Sequence, residues 1–210
     1  MTSTPLQSDK NFAGDLFARI AAHALHQPDQ VALRTSGTAR GASVDLSYAA
    51  LQERLQSLIH ALSGVRCLAL VGDNSPEWIC LDLAARAAGI CVLPIPPFFT
   101  PAQVQHALDA ARVDAVWAVD PHLLGDAAEP FDVGYIKRYS NVTDAVSPTI
   151  PAGISKLTFT SGTTGTPKGV ALTQSAMEAV VRSLDTVLNL GAVHTHLSVL
   201  PLGVLLENLA

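Results

Sequence analysis

Three short apolar runs, "CLALVG" at 67–72, "ICVLPI" at 90–95 and "DAVWAV" at 114–119, constrain the fold of this chain more than any other feature. A strand made almost wholly of apolar residues has no face to offer water, so it must be covered on both sides. The stretches between these runs supply the cover. Ser47 precedes "YAALQERLQSLIHAL", where Leu51, Leu55, Leu58, Ile59 and Leu62 keep helical spacing and Gly64 stands at the expected stop. Ser75, Pro76 and Glu77 form a helix start, and "WICLDLAARAAG" then runs to a glycine. Thr100 and Pro101 open another helix before "DAVWAV". Strands alternating with helices of this length predict an α/β fold, a layered, parallel-rich sheet with helices on both faces.

The flanking segments extend the pattern. After a polar lead over residues 1–10, read as disordered, Phe12, Leu16, Ile20 and Ala24 recur every four residues and predict a helix ending near Pro28, with "VALRT" a strand behind it. Residues 120–152 are rich in Pro, Gly, Asp and Ser and read as a linker-like excursion, with "GYIKRYS" the one candidate strand inside it. In "ISKLTFT", Ile154, Leu157 and Phe159 are taken as the inward positions of a strand. "VALT" reads as a return strand and Thr173 as a cap. "QSAMEAVVRSLDTVL" is a helix with Met177, Val180, Val181 and Leu184 inward, and "HLSVLPL" a last strand. Residues 11–210 thus form one unit. Its last residues, "GVLLENLA", are apolar and uncapped, which predicts the N-terminal part of a longer protein.

Charge narrows the partners. Thirteen Lys and Arg against eighteen Asp and Glu give a net charge of −5, with no basic stripe, which argues against nucleic acid or an anionic membrane. Cys67, Cys80 and Cys91 lie among apolar neighbours without metal-ligand spacing and read as reduced core residues. No signal-peptide pattern opens the chain and no run reaches the length of a membrane span, so a soluble cytoplasmic protein is expected.

The chemistry concentrates at residues 160–170, "TSGTTGTPKGV", with five hydroxyls, three glycines and a lysine. Backbone N–H groups of a glycine-rich turn converge on a concavity, and hydroxyls and a compact ammonium add donors suited to a polyphosphate. Each charge-assisted bond of this kind contributes roughly 1.5–3 kcal/mol. The pattern is neither of the two common nucleotide loops. Pro167 stands where a Walker A loop needs glycine, Gly169 where it needs Ser or Thr, and no GxGxxG occurs. A plain polar hairpin would account for Ser, Thr and Gly, but leaves the lysine and proline without a reason.

This stretch closely resembles the signature phosphate-binding loop of the adenylate-forming (AMP-binding) enzymes, the superfamily of acyl-CoA synthetases, peptide-synthetase adenylation domains and firefly luciferase. "HQPDQVAL", "LSYAALQERLQSL", "VGDNSPEW", "AGICVLPI" and "LPL" resemble the N-terminal region of the same family, so the likeness covers most of residues 11–210. The resemblance implies ATP-dependent activation of a carboxylic acid to an acyl-adenylate with release of pyrophosphate, followed by transfer to a thiol, often that of CoA. Thr160, Ser161, Gly162, Thr163, Thr164, Gly165, Thr166 and Lys168 would then line the phosphate pocket, with Thr163, Thr164 and Lys168 contacting the departing pyrophosphate and Thr164 and Lys168 the catalytic pair. Pro167 would fix the loop backbone. Mg2+ is implied with ligands mainly in later segments, as are the ribose-binding aspartate and a C-terminal lysine, so these 210 residues alone are expected to be inactive. "LPLGVLLE" resembles the segment that in relatives leads into the acid-binding pocket, where Val204 stands at a position that often carries histidine or an aromatic, and Gln174 replaces a common histidine.

Two other functions compete: a non-catalytic nucleotide or acyl-ligand binding module, and a peptide-synthetase adenylation domain. Outside the loop, Asp73 and Asn74 sit between a strand and a helix cap, where either site residues or turn chemistry place them. His194 and His196 lack a third metal ligand and read as surface residues, so no metal site is assigned. Glu207 reads as solvated, Trp78 and Trp117 as sheet packing, and Cys80, without a paired base, as no nucleophile. The identity of the acid and the oligomeric state leave no trace in these residues.

Overall fold

The computed structural model describes residues 12–35, 43–139, 150–160, 168–188, 193 and 195–204. Helix α1 (Phe12–His26) leads into a small antiparallel pair, β1 (Val31–Thr35) and β2 (Val44–Ser47). Helix α2 (Tyr48–Ala61) starts where Ser47 Oγ accepts from Ala50 N at 3.3 Å, and it buries Leu51, Leu55 and Leu58. Strand β3 (Cys67–Val71) follows, then α3 (Pro76–Ala87), capped by Ser75 Oγ accepting from Trp78 N at 3.1 Å. Strand β4 (Cys91–Ile95) and α4 (Pro101–Ala111) repeat the unit, with Thr100 and Gln103 closing a reciprocal capping box. Strand β5 (Ala115–Ala118) completes the run.

The second half of the chain adds β6 (Glu129–Pro130), β7 (Tyr135–Arg138), β8 (Ile154–Thr160), β9 (Lys168–Thr173) and α5 (Gln174–Leu188). Among the described residues the main sheet has seven strands in the order β6-β7-β5-β3-β4-β8-β9. Its centre, β5-β3-β4-β8, is parallel, and β6, β7 and β9 run antiparallel at the margins. The α/β expectation holds.

Alternation along the central strands builds two cores. Leu68, Leu70, Val92, Ala115 and Trp117 face one side with the buried residues of α2 and α3. Cys67, Ala69, Cys91, Leu93, Val116 and Ala118 face the other, under Ala107 and Ala111 of α4. Successive side chains of a strand point to opposite faces, so an all-apolar strand can only be satisfied this way. Burying such a residue contributes about 1.5–3 kcal/mol.

The linker-like reading of 120–152 needs correction over its described first part. Residues 121–127 make two short 3-10 turns, and 129–138 return to the sheet as β6 and β7. The indole N–H of Trp117 donates to the Val133 carbonyl. Gly134, at φ +76°, passes so close that a Cβ would lie 2.7 Å from the Ala118 oxygen. Polar, Pro- and Gly-rich composition here marks tight turns against the sheet edge rather than a free tether. Residues 140–149 lie outside the described residues.

Two other expectations also change. "HLSVLPL" is no strand: residues 195–199 carry no regular structure, and Pro201–Val204 form a turn closed by Val204 N donating to Pro201 O at 2.8 Å. On α5, Met177 is buried and Val181 and Leu184 are half-buried, but Val180 is exposed. The cap at Thr173 stands, its hydroxyl accepting from Ala176 N at 3.2 Å.

Candidate functional site at the carboxyl ends of the parallel strands

The parallel strands β3, β4 and β8 end side by side at Val71, Ile95 and Thr160. Loops leaving the carboxyl ends of parallel strands are where α/β sheets bind ligands. Two described segments gather here, 72–75 after β3 and Pro96–Phe99 after β4, beside Thr160 at the end of β8. Thr160 closes β8 and pairs in register with Lys168, the first residue of β9. Lys168 therefore stands at the mouth of the glycine- and threonine-rich loop, exposed to solvent. Ser161, Gly162, Thr163, Thr164, Gly165, Thr166 and Pro167 lie outside the described residues. What the structure fixes is the frame: a hairpin whose two ends are held by an unbroken ladder from Leu157↔Ala171 to Thr160↔Lys168.

Strand β8 carries a feature that the sequence pattern concealed. A bulge between Ile154 and Lys156 lets Ile154, Leu157 and Phe159 all pack into the core under α4, although their spacing is three and two. Lys156 consequently points to the opposite face, fully buried, where its ammonium meets Asp82 of α3 at 2.9 Å. Burial pulls the Lys156 ammonium below the ordinary lysine range, and the Asp82 carboxylate opposes that fall. Removing one partner of such a pair leaves an uncompensated buried charge. The strand that leads into the glycine- and threonine-rich loop is thus tied to α3. The cue in the sequence was a lysine inside a candidate strand, directly before the inward position Leu157.

Asp73 and Asn74 separate in role. Asp73 is exposed, whereas Asn74 bonds to the chain more than 120 residues away: Nδ2 donates to Ser198 Oγ at 3.1 Å and to Leu200 O at 2.7 Å, and Oδ1 accepts from Leu202 N at 2.7 Å. The last two bonds take up the Leu200 carbonyl and the Leu202 N–H, backbone groups that a strand neighbour would otherwise pair. The segment lies across the end of β4, where a Cβ on Gly203 would come within 2.8 Å of the Ile95 carbonyl. On the α4 side a crevice of about 1260 Å³ opens beside the ends of β3, β4 and β5, lined by Gly72, Asp73, Pro97, Phe99 and Lys137 among others.

The remaining candidates are soon placed. Cys80 is buried, and its thiol is pushed up to about 11 chiefly by desolvation, which suits packing rather than nucleophilic attack. The adjoining Cys91 thiol and burial push Cys67 far above the ordinary thiol range. All three cysteines are free. Trp78 and Trp117 are core residues. Gln174 donates to Glu178 at 2.9 Å. His196 is exposed, while His194 and Glu207 lie outside the described residues. Among the described residues no helix is long and apolar enough to cross a membrane.

Comparison with known proteins agrees with this arrangement. The family model described as "AMP-binding enzyme" matches residues 20–209. The chain is similar to the peroxisomal long chain acyl-CoA synthetase 7 of Arabidopsis thaliana, 27% identical over 181 residues that make up 71% of this chain and 26% of that one. It is equally similar to the dimodular nonribosomal peptide synthase of Bacillus subtilis, 27% identical across 84% of this chain and 8% of that one. Among solved structures, the amide bond synthetase McbA of Marinactinospora thermotolerans superposes with a TM-score of 0.60 at 25% identity, over 92% of this chain and 41% of its own. The chain therefore spans about a quarter or less of these two curated relatives and two fifths of that structure.

Proposed function

The chain belongs to the AMP-binding enzyme family, and from that premise we propose that the full-length protein activates a carboxylic acid with ATP, forming an acyl-adenylate and releasing pyrophosphate. The observation that carries the reading is the frame of the threonine- and glycine-rich stretch: Thr160 at the carboxyl end of β8 pairs in register with Lys168 at the start of β9, and β8 lies beside β4. Its donor set suits a polyphosphate: four side-chain hydroxyls, two glycines and one ammonium between Ser161 and Lys168.

In this reading an acid carboxylate oxygen attacks the α-phosphorus of ATP, and the bond to the bridging oxygen of pyrophosphate breaks. Negative charge builds on the departing group. Thr163, Thr164 and Lys168 meet that charge, while Ser161, Gly162, Gly165 and Thr166 hold the β and γ phosphates, with Thr160 at the strand end. Donors aimed at charge that develops only during the reaction lower its barrier most. Mg2+ neutralises phosphate charge when bound, with its ligands mainly in later segments of the full-length protein.

The acyl group then passes to a thiol, which we take to be that of CoA. Similarity to an acyl-CoA synthetase supports this choice. Similarity to a peptide synthase supports a carrier-protein thiol instead, and discharge of the adenylate by CoA alone separates the two. A cytoplasmic setting accords with three free, buried cysteines.

The test is acid-dependent ATP–pyrophosphate exchange by the full-length protein. Lys168→Ala and Thr164→Val are each expected to reduce exchange by about a hundredfold or more. Exchange at the parent rate in both would overturn the assignment of the loop. ATP binding without exchange for any acid would favour the binding-module alternative.

A further inference from the structure

The β8–β9 hairpin is joined to the rest of the sheet less firmly than its neighbours are joined to one another. Strands β3 and β4 pair in register over their whole lengths, from Cys67↔Cys91 to Val71↔Ile95. Strands β8 and β9 pair from Ile154↔Thr173 to Thr160↔Lys168. Between β4 and β8, by contrast, the described residues show a single register pair, Val92↔Lys156. The residue that seats the hairpin on the parallel sheet is therefore also the one whose side chain reaches α3, where Lys156 Nζ meets Asp82 Oδ1 at 2.9 Å.

A strand attached at one register point is free to slide, and the ion pair supplies the specification that the ladder lacks. A slip of one residue would turn Lys156 toward the opposite core, where Leu93, Ala107 and Phe159 offer its charge no partner. A slip of two would keep the face but carry the ammonium about 6.6 Å along the strand, out of reach of Asp82. Asp82 is in no position to follow: it is buried on α3, whose start is capped by Ser75 and whose Leu81, Ala84 and Ala85 are fully buried. Replacing a buried ion pair by apolar side chains is often neutral for stability, so what such a pair best accounts for is a unique arrangement. Thr160 and Lys168 ride on the same hairpin. The ladder from Lys156↔Leu172 to Thr160↔Lys168 makes any slip of Lys156 theirs as well.

We propose that Lys156 and Asp82 are positioning residues that lock the register of the β8–β9 hairpin against β4, and so place Thr160 and Lys168 for ATP. The inference rests on the acid-activation reading above. Neither residue touches the nucleotide; both act through the backbone of β8. Loss of the lock therefore weakens the grip on ATP even where the fold is kept.

The experiment follows ATP–pyrophosphate exchange and urea unfolding in the full-length protein carrying Lys156→Met and Asp82→Leu together. The apolar pair is expected to unfold close to the parent midpoint and yet to raise the KM for ATP about tenfold, with the KM for the acid changed less than about twofold. A purely structural pair would return the KM together with the stability. A parent KM for ATP in this variant, or a rise in the acid KM as large as that in the ATP KM, overturns the proposal. If the variant unfolds earlier than the parent, Leu68→Ala sets the standard, because it destabilises from β3, which does not pair with β8. An ATP KM raised no further than in Leu68→Ala then overturns it, and a larger rise supports it. If the double variant does not fold, Asp82→Asn, which keeps the shape of the carboxylate and removes its charge, is held to the same criterion. A parent protein without exchange on any acid ends the activation reading and the role toward ATP with it. Hydrogen exchange then decides the register lock alone: amides of 156–160 that exchange faster in the double variant than in the parent, with those of β3 unchanged, retain it, and equal rates remove it.

Discussion

The β3–β4–β5 region and the region from β8 to Val204 dispose of their apolar residues differently. In the first, the five residues of β4 and the four of β5 are buried without exception, and two cores form from opposite faces of the same strands. In the second, Val170, Val180, Val187, Leu188, Val193, Leu197, Val199 and Leu200 are all exposed. Val187 and Leu197 reach 80% exposure. The first region therefore holds itself together, and the second is held to it by the pairing of β8 with β4, by Ile154, Leu157, Phe159 and Leu202 in the cores, by the Lys156–Asp82 pair, by the Asn74 bonds and by the few buried residues of α5. A rigid scaffold with a loosely covered site edge is the arrangement expected where binding segments are carried on the ends of strands.

The largest expected effect breaks the tie between the regions. Lys156→Met strands the Asp82 carboxylate in the core and should cost about 3–5 kcal/mol in urea unfolding, whereas Lys156→Met with Asp82→Leu should recover most of that loss. A single variant as stable as the parent would show that the pair is not what holds β8. The same pair sets a pH signature. Because burial lowers the folded-state pKa of Lys156, the unfolded chain binds more protons between that lowered value and the ordinary value near 10.4. This group's contribution to stability accordingly rises with pH across that window and is constant below it. Thermal midpoints followed through the alkaline range should show the rise in the parent and lose it in Lys156→Met.

Next in size come tests of the scaffold. Leu68→Ala, at a residue with no exposed surface in the centre of the sheet, should cost about 2–5 kcal/mol through lost burial and the cavity left behind. Ser75→Ala removes the cap of α3 and should cost about 1 kcal/mol. A smaller effect at Leu68 than at Ser75 would contradict a self-sufficient central core.

How far each region was legible follows the same division. The strands 67–71, 91–95 and 115–118 and their capped helices could be read directly, because full burial leaves an unbroken apolar run and because Ser47, Ser75 and Thr100 stand where caps are required. The inward set Ile154, Leu157 and Phe159 was also legible, although the bulge that puts the three on one face was not. Buried Lys156 was missed because its partner Asp82 is 74 residues earlier, and no local pattern connects a strand lysine to a helix aspartate. "HLSVLPL" reads as a strand by composition, but a side chain rather than a neighbouring strand satisfies its backbone, and periodicity carries no trace of that. Asn74 was visible only as a turn residue for the same reason. At the loop, residue types indicated the ligand class through the chemistry of donors, while the frame that holds it, the Thr160–Lys168 pair, came from the ladder.

The smallest expected effect tests the exposed side of the comparison. Val187 and Leu188 lie on a shallow apolar surface of α5 shared with Ala179, Val180, Ser183 and Leu184. A side chain that is 80% exposed in the folded state gains little by folding, so Val187→Lys should change the unfolding free energy of the 210-residue chain by less than about 0.5 kcal/mol. Lysine has the better helix propensity, which offsets part of any lost contact. The same substitution should raise solubility, because it interrupts a contiguous apolar patch. Both can be read from urea unfolding and from light scattering at increasing concentration. A loss above about 1 kcal/mol, beyond what an exposed site supports, would mean that the outer face of α5 is covered within this chain, and the contrast between the two regions would then have to be redrawn.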